Sequence, residues 1–280
     1  MYTCLSPGAI GIRATLPEAI KLAAEAGFEG LELNVKEAAE LAETHSVTYV
    51  RDLFDSSGVR VGNWGFPVDF RNDRATYESD MAHLPGLVRV AQQLGATRCA
   101  TWMLPFSDEL HFVDHFDLLV ERLRPAAQLL SDNGMSFGLE FVGPRTLRQG
   151  HAYSFISTME GMLGLCCAIG TGNMGLLFDS FHWYTARGSV QDIASLCPED
   201  VVLVHVNDGI AGRGPDEQID NERALPGETG VIDLGSFIKG LVDIGYDGPV
   251  VVEPFSQRVK ALPPREAAEV TRQSLREIGL

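Results

Sequence analysis

The stretch Met174-Gly-Leu-Leu-Phe-Asp179-Ser-Phe-His182 sets a short apolar run against an acid and, three residues later, an imidazole. The run has the length of a β-strand, and its polar residues gather at the C-terminal end. The same arrangement recurs on either side, in Ser136-Phe-Gly-Leu-Glu140, Val201-Val-Leu-Val-His205 and Val250-Val-Val-Glu253. Working outward, strand-like runs fall at 2–5, 30–33, 59–64, 99–103, 136–141, 174–178, 201–206 and 249–252. Between them lie helix-length segments such as 16–26, 77–94, 112–130, 155–169 and 234–244, in which apolar residues recur at three and four positions. Thr15-Leu-Pro17-Glu18 reads as a helix start, and Ala26-Gly27 and Leu94-Gly95 read as helix stops.

Eight strands alternating with helices, with no composition break or linker, predict an α/β fold: one (β/α)₈ TIM barrel spanning residues 1–280 as a single domain. A doubly wound open sheet gives a similar alternation, so the polar residues decide. A barrel builds its site at the C-terminal ends of its strands. Here the fifth to eighth strands end in Glu140, Asp179, His205 and Glu253. Neighbouring strands sit ~4.8 Å apart, so four consecutive ends converge on one ion once the barrel closes. A lone acid after a strand is often a helix cap or a salt-bridge partner. Four in succession repel one another unless a cation joins them. Three carboxylates and an imidazole favour Mn²⁺ or Mg²⁺, with Co²⁺ or Zn²⁺ tolerated.

Composition narrows the partners. The 280 residues carry 22 Lys+Arg against 38 Asp+Glu, a net charge of −16, with 45% apolar residues. That balance excludes disorder and argues against nucleic acid or an anionic membrane surface, both of which need basic stripes. No apolar run approaches the ~20 residues that span a bilayer. The opening MYTCLSPGAI lacks a basic region followed by an apolar core, and the five cysteines are scattered, so a reduced, cytoplasmic protein is expected. A homo-oligomer, dimer or tetramer, is expected only on the general frequency of symmetric assemblies.

The ordered motifs resemble the xylose-isomerase-like barrel superfamily of sugar isomerases and epimerases. Asp179-Ser-Phe-His182 is similar to its Asp-x-x-His signature, Phe28-Glu-Gly-Leu-Glu-Leu33 to its second strand and Phe137-Gly-Leu-Glu140 to its fifth. Val204-His205-Val-Asn-Asp208 resembles its seventh strand and Tyr246-Asp-Gly-Pro-Val-Val-Val-Glu253 its eighth. Arg223-Ala-Leu-Pro226-Gly-Glu-Thr-Gly230-Val-Ile-Asp233 is similar to its Arg…Pro-Gly-x-Gly-x-Ile-Asp element, with one residue more between the glycines. The resemblance implies that Glu140, Asp179, His205 and Glu253 are metal ligands and that His182 and Arg223 contact substrate. It also implies that Glu140 and Glu253 flank the substrate as acid and base.

A cation polarising a ketone and its neighbouring hydroxyl acidifies the carbon-bound hydrogen between them, and paired carboxyls on opposite faces then move the proton. The expected activity is therefore isomerisation or epimerisation of a ketose, keto-inositol or related polyhydroxy ketone through an enediolate. A dehydratase or β-eliminating lyase shares the first step and differs in losing a hydroxyl. The resemblance also covers abasic-site endonucleases, whose extra histidines have no counterpart at Gly62-Asn-Trp64 or Thr101-Trp102. A non-enzymatic sugar-binding subunit is disfavoured because both glutamates are present.

His182 is placed to hydrogen-bond a carbonyl oxygen, or to pack under Trp183 as a structural residue. Trp64 and Trp102 end strands and either wall a substrate pocket or fill the barrel. Gly170-Thr-Gly-Asn-Met-Gly175 matches G-x-G-x-x-G, but it follows a helix and opens a strand, so it reads as a helix stop rather than a dinucleotide loop. His111-Phe-Val-Asp-His115 reads as a solvated helix face and Cys166-Cys167 as core. Arg145, Arg148, Arg187 and Arg213 are candidate phosphate contacts, although no phosphate-binding loop accompanies them, which favours an unphosphorylated substrate.

Overall fold

Side chains alternate in direction along a strand, so each apolar run serves two cores at once. In 136–140, Phe137 and Leu139 join the large hydrophobic core beneath the helices, while Gly138 and Glu140 share the other face. The structure, a computed structural model, describes residues 1–280. Its barrel strands are β1 (Tyr2–Leu5), β2 (Gly30–Leu31), β3 (60–65), β4 (Arg98–Trp102), β5 (Ser136–Glu140), β6 (Met174–Asp179), β7 (Val201–Val206) and β8 (Pro249–Val252). All run parallel in chain order, and β8 returns to pair with β1 through Thr3↔Val250 and Cys4↔Val251.

Closure runs through β3, which pairs with β2 by Arg60–Val61 and with β4 by Trp64–Gly65. Between these halves Gly62 donates to Leu31 O and Asn63 O accepts from Leu33, so the backbone passes from one sheet edge to the other without leaving the barrel. Gly62 is required there. A Cβ at that position would lie 2.3 Å from Cys4 Sγ. Cys4 and Asn63 also face each other, at 3.6 Å. Two successive residues thus meet Cys4, the strand's alternation breaks, and Trp64 turns into the helix-facing core.

A second, small cluster of Cys4, Ala100, Leu177, Leu203 and Val251 fills the barrel axis. The last four each stand two residues before a strand-end side chain, namely Trp102, Asp179, His205 and Glu253, so they share its face one layer below. Small and medium apolar groups therefore floor the site. The helices behave as their patterns require. Helix Leu16–Ala26 opens with Thr15 N donating to Glu18 Oε2 at 2.9 Å and stops at Gly27, whose φ of 80° is left-handed.

Three expectations shift in detail and one holds. Helix Met159–Ile169 starts later than 155 because Thr158 Oγ1 accepts from Gly161 N and caps it. Gly170 stops that helix and β6 follows, as read from the G-x-G-x-x-G match. Cys166 is buried but Cys167 is exposed, since adjacent helical residues face different ways. His115 is half-buried, not solvated, with its ring 4.3 Å from that of Phe155. No helix is long and apolar enough to cross a membrane.

Candidate metal centre and active site

The ends of β5, β6, β7 and β8 lie side by side. Glu140, Asp179, His205 and Glu253 each present one ligand-capable atom, and these atoms lie within 4.8 Å of one another. His205 Nδ1 stands 3.7 Å from Glu140 Oε1, 3.8 Å from Asp179 Oδ2 and 3.5 Å from Glu253 Oε2. These separations are too long for good hydrogen bonds. Both Glu140 Oε1 and His205 Nδ1 are buried with no hydrogen-bond partner at all. A buried polar atom left bare costs ~1–3 kcal/mol, and one cation among the four would satisfy the set. The residues therefore fit a divalent metal, held mainly by oxygen.

The titrating groups are driven apart. Burial raises Glu140 well above the ordinary carboxylate range, and the charges of Glu253 and Asp179 add to this against partial relief from His205. Glu253 is only half-buried, and His205 and Arg223 outweigh its partial desolvation and lower it. Burial would lower His205, but the carboxylates of Glu253, Glu140 and Asp179 win and raise it to about 9.

Asp179 combines the two roles that its sequence context allowed. Its Oδ1 accepts from Phe181 N at 2.6 Å and caps helix Ser180–Thr185, while Oδ2 faces the cluster. Oδ2 accepts from Asn207 Nδ2 at 3.0 Å and from the Arg223 guanidinium at 2.9 Å. Arg223 is buried, 2.9 Å from Asp220 Oδ1, and its guanidinium lies between the rings of Phe181 and Phe255, 4.6 and 4.7 Å from their centroids. Phe255 takes a left-handed φ of 42° to reach it, an uncommon conformation for an aromatic residue.

His182 is buried and its imidazole is pushed down to about 3 by burial first and then by Arg223. The ring is therefore neutral. Its Nδ1 is 3.3 Å from Gly143 N and its Nε2 is 3.2 Å from Arg223. A neutral imidazole has one lone pair, so it accepts at only one of these nitrogens. With Gly143 as donor, Nε2 carries the hydrogen. The close approach depends on glycine, because a Cβ at 143 would lie 2.5 Å from His182 O.

The remaining expected residues divide. Trp102 is 46% exposed at the end of β4, with the Arg71 guanidinium 4.1 Å above its ring. Trp64 is fully buried in the main core and lines no mouth surface, a correction that follows from the break at Gly62-Asn63. Arg145 and Arg187 turn to Asp216, at 3.7 and 2.7 Å, and Arg213 turns to Glu222 at 2.7 Å, so these arginines serve the surrounding loops.

Three neighbouring residues were not singled out from the sequence. Asn207 orients Asp179. Asp208 is fully buried, and its carboxylate accepts from the backbone amides of Gly209, Thr229, Gly230, Val231 and Ile232 at 2.7–3.1 Å. Glu32 follows β2, half-buried, with its carboxyl raised by burial. The signal for the first two was their place two and three residues after His205. For Glu32 it was an acid at a strand end like the other three.

Comparison with known proteins agrees with this geometry. Residues 20–278 match the family described as xylose isomerase-like TIM barrel. An inosose isomerase of Bacillus velezensis is 21% identical over 280 residues, covering 98% of this chain and 95% of that protein. A xylose isomerase domain protein from Alicyclobacillus acidocaldarius superposes with a TM-score of 0.87 at 32% identity, over 99% of this chain and 98% of the other. The IOLI protein with a zinc atom bound superposes with a TM-score of 0.82 at 19% identity, over 99% and 98%.

Proposed function

We propose, for a chain that belongs to the xylose isomerase-like TIM barrel family, a divalent-metal-dependent isomerase or epimerase. Its substrate is a ketose, a keto-inositol or a related polyhydroxy ketone, and its reaction is proton transfer next to the carbonyl. The observation that carries this reading is the pairing of Glu140 and Glu253 in one tight cluster at the strand ends, one driven towards its acid form and the other towards its base form. Taking a proton from carbon and returning one requires two carboxyls in different states.

Glu140, Asp179, His205 and Glu253 would hold a divalent ion, which would supply Lewis acidity towards a ketone substrate. Mn²⁺ or Mg²⁺ suits the oxygen-rich set, and the zinc of the IOLI structure shows that a related barrel accepts a softer ion. Glu140 and Glu253 move the proton. In the tautomer whose Nδ1 accepts from Gly143 N, His182 has Nε2–H free to donate to a substrate oxygen. Arg223 holds Asp179 and Glu253 in place and adds positive charge where oxygen becomes negative. Trp102 offers an apolar face beside Glu140, its register partner across β4 and β5. We read residues 1–280 as one catalytic domain working on a small molecule rather than nucleic acid, in a reducing cytoplasm that suits five free cysteines.

Deuterium uptake from heavy water tests this on free ketoses, keto-inositols and their phosphates, with Mn²⁺ and with chelator. Metal-dependent uptake without loss of mass establishes the isomerase or epimerase. Uptake with loss of one water makes the protein a lyase. No exchange on any ketone removes the proposal.

A further inference from the structure

The metal ligands occupy one half of the barrel mouth, from β5 to β8. The other half, at the ends of β1, β2 and β3, contains one carboxyl in a similar setting. Glu32 follows directly on β2 and its Oε2 accepts a hydrogen bond from Ser6 Oγ, beyond the end of β1. Its other oxygen, Oε1, bonds to nothing in the chain and lies on the side of Gly65, where an added Cβ would meet it at 3.9 Å, an ordinary van der Waals contact. The ordinary structural roles for such an acid are filled by others or missing. Asn34 caps helix Val35–Thr44, Glu32 makes no ion pair, and it stands outside the four-residue metal cluster.

Glu32 lines a cleft of about 440 Å³ between the ends of β1, β2 and β3, walled by Pro7, Ile12 and Phe66, with Arg13 and Lys36 among its lining residues. It also stands near enough to the four-residue cluster for the charges of His205 and Glu253 to act on it. A carboxyl braced on one oxygen and bare on the other, fixed at a strand end, is a preorganised partner for a neutral hydroxyl.

We propose that Glu32, braced by Ser6, is a specificity-determining residue that hydrogen-bonds a substrate hydroxyl remote from the reacting carbonyl. The site thereby selects polyhydroxy ketones over the analogue lacking that hydroxyl. The inference rests on the polyol-ketone reading given above and names the residue that reads the polyol.

The test compares wild type with Glu32→Ala, Glu32→Gln and Ser6→Ala, all loaded with Mn²⁺. Deuterium exchange is followed on keto-inositols and free ketoses and on their single-position deoxy forms, beside calorimetric binding of the unreactive polyols myo-inositol and xylitol. Wild type should discriminate against one deoxy form by about a hundredfold or more in kcat/KM, as a site built to bond a hydroxyl does. Glu32→Ala should cost the parent substrate about tenfold or more, mainly in KM, and leave that deoxy form unchanged. Glu32→Gln, the same shape and still able to bond, should keep part of the discrimination, and Ser6→Ala should lose a smaller share of it. Unaltered discrimination in both Glu32 variants overturns the inference while leaving the isomerase reading intact. A wild type that neither exchanges any ketone nor binds either polyol overturns both. Equal metal content in every variant guards against misfolding, and if Glu32→Ala does not fold, the Glu32→Gln and Ser6→Ala results decide.

Discussion

Asn207 Nδ2 donates to Asp179 Oδ2 at 3.0 Å, while the same side chain's Oδ1 accepts from Glu253 N at 2.9 Å. One buried amide therefore aims a ligand on β6 and fixes the backbone at the end of β8. Partners of this kind typically change metal affinity by ~10–100-fold. Asn207→Ala should weaken Mn²⁺ binding by about that factor, and Asn207→Asp should do worse by setting a carboxylate against Asp179. Titration against a chelating indicator measures both. Unchanged affinity in both variants would remove Asn207 from the support of the site.

Glu140→Gln keeps the shape of the side chain and removes the acid–base function proposed for it. Exchange of the substrate's carbon-bound hydrogen should fall by at least about a hundredfold, the usual contribution of one general acid or base. Metal content has to be measured alongside, because Glu140 is also one of the four candidate ligands. A variant that binds metal and exchanges at the wild-type rate would sink the assignment.

Metal binding should release protons. In the metal-free protein His205 is raised to about 9, so it is largely protonated in neutral solution or below, and burial shifts Glu140 in the same direction, above the carboxylate range. A ligand must shed its proton, so Mn²⁺ affinity should climb with pH towards about 9. Calorimetry in buffers of different ionisation enthalpy reads the release directly, and pH-independent affinity would contradict it. Chelation should lower Tm, since a ligand at a hundred times its Kd adds about 2.7 kcal/mol to the folded state.

His182 gives a pH dependence of the opposite kind. Its value falls from 6.5 unfolded to about 3 folded, so the unfolded chain binds more protons between those limits. The contribution to stability is complete above 6.5 and is lost as pH falls towards 3, by up to about 1.4 kcal/mol per pH unit. In metal-free denaturant melts, wild type should lose stability faster than His182→Gln as pH drops from 7 to 4. Parallel curves would mean that the ring is not buried and neutral.

The barrel and the four-residue cluster were legible because they depend on local signals. A strand fixes the direction of its last side chain, and parallel order sets the neighbours, so Glu140, Asp179, His205 and Glu253 had to meet once the strands were counted. Arg223 was legible only through resemblance, since no periodicity governs the irregular segment that carries it. For Trp64 two readings stood open, pocket wall or packing, and the choice could not be made from sequence because the close packing of Gly62 on Cys4 cannot be seen in one strand alone. Asn207 and Asp208 were passed over because their partners lie far away in the chain: Asp179 and Glu253 for Asn207, and backbone amides 21 to 24 positions on for the Asp208 bonds to Thr229 through Ile232.

That carboxylate of Asp208 has a companion in its own backbone, which exchanges hydrogen bonds with Ala224 at 2.9 and 3.0 Å. Together they pinch the chain shut at the two ends of residues 209–223. Arg223 sits immediately inside the pinch, and everything further out hangs from a closed neck. A lineage could lengthen, shorten or rewrite the outer part of that excursion and leave the guanidinium where it is. For an engineer the same neck is a splice point, where a new recognition surface could be grafted above an unchanged catalytic floor.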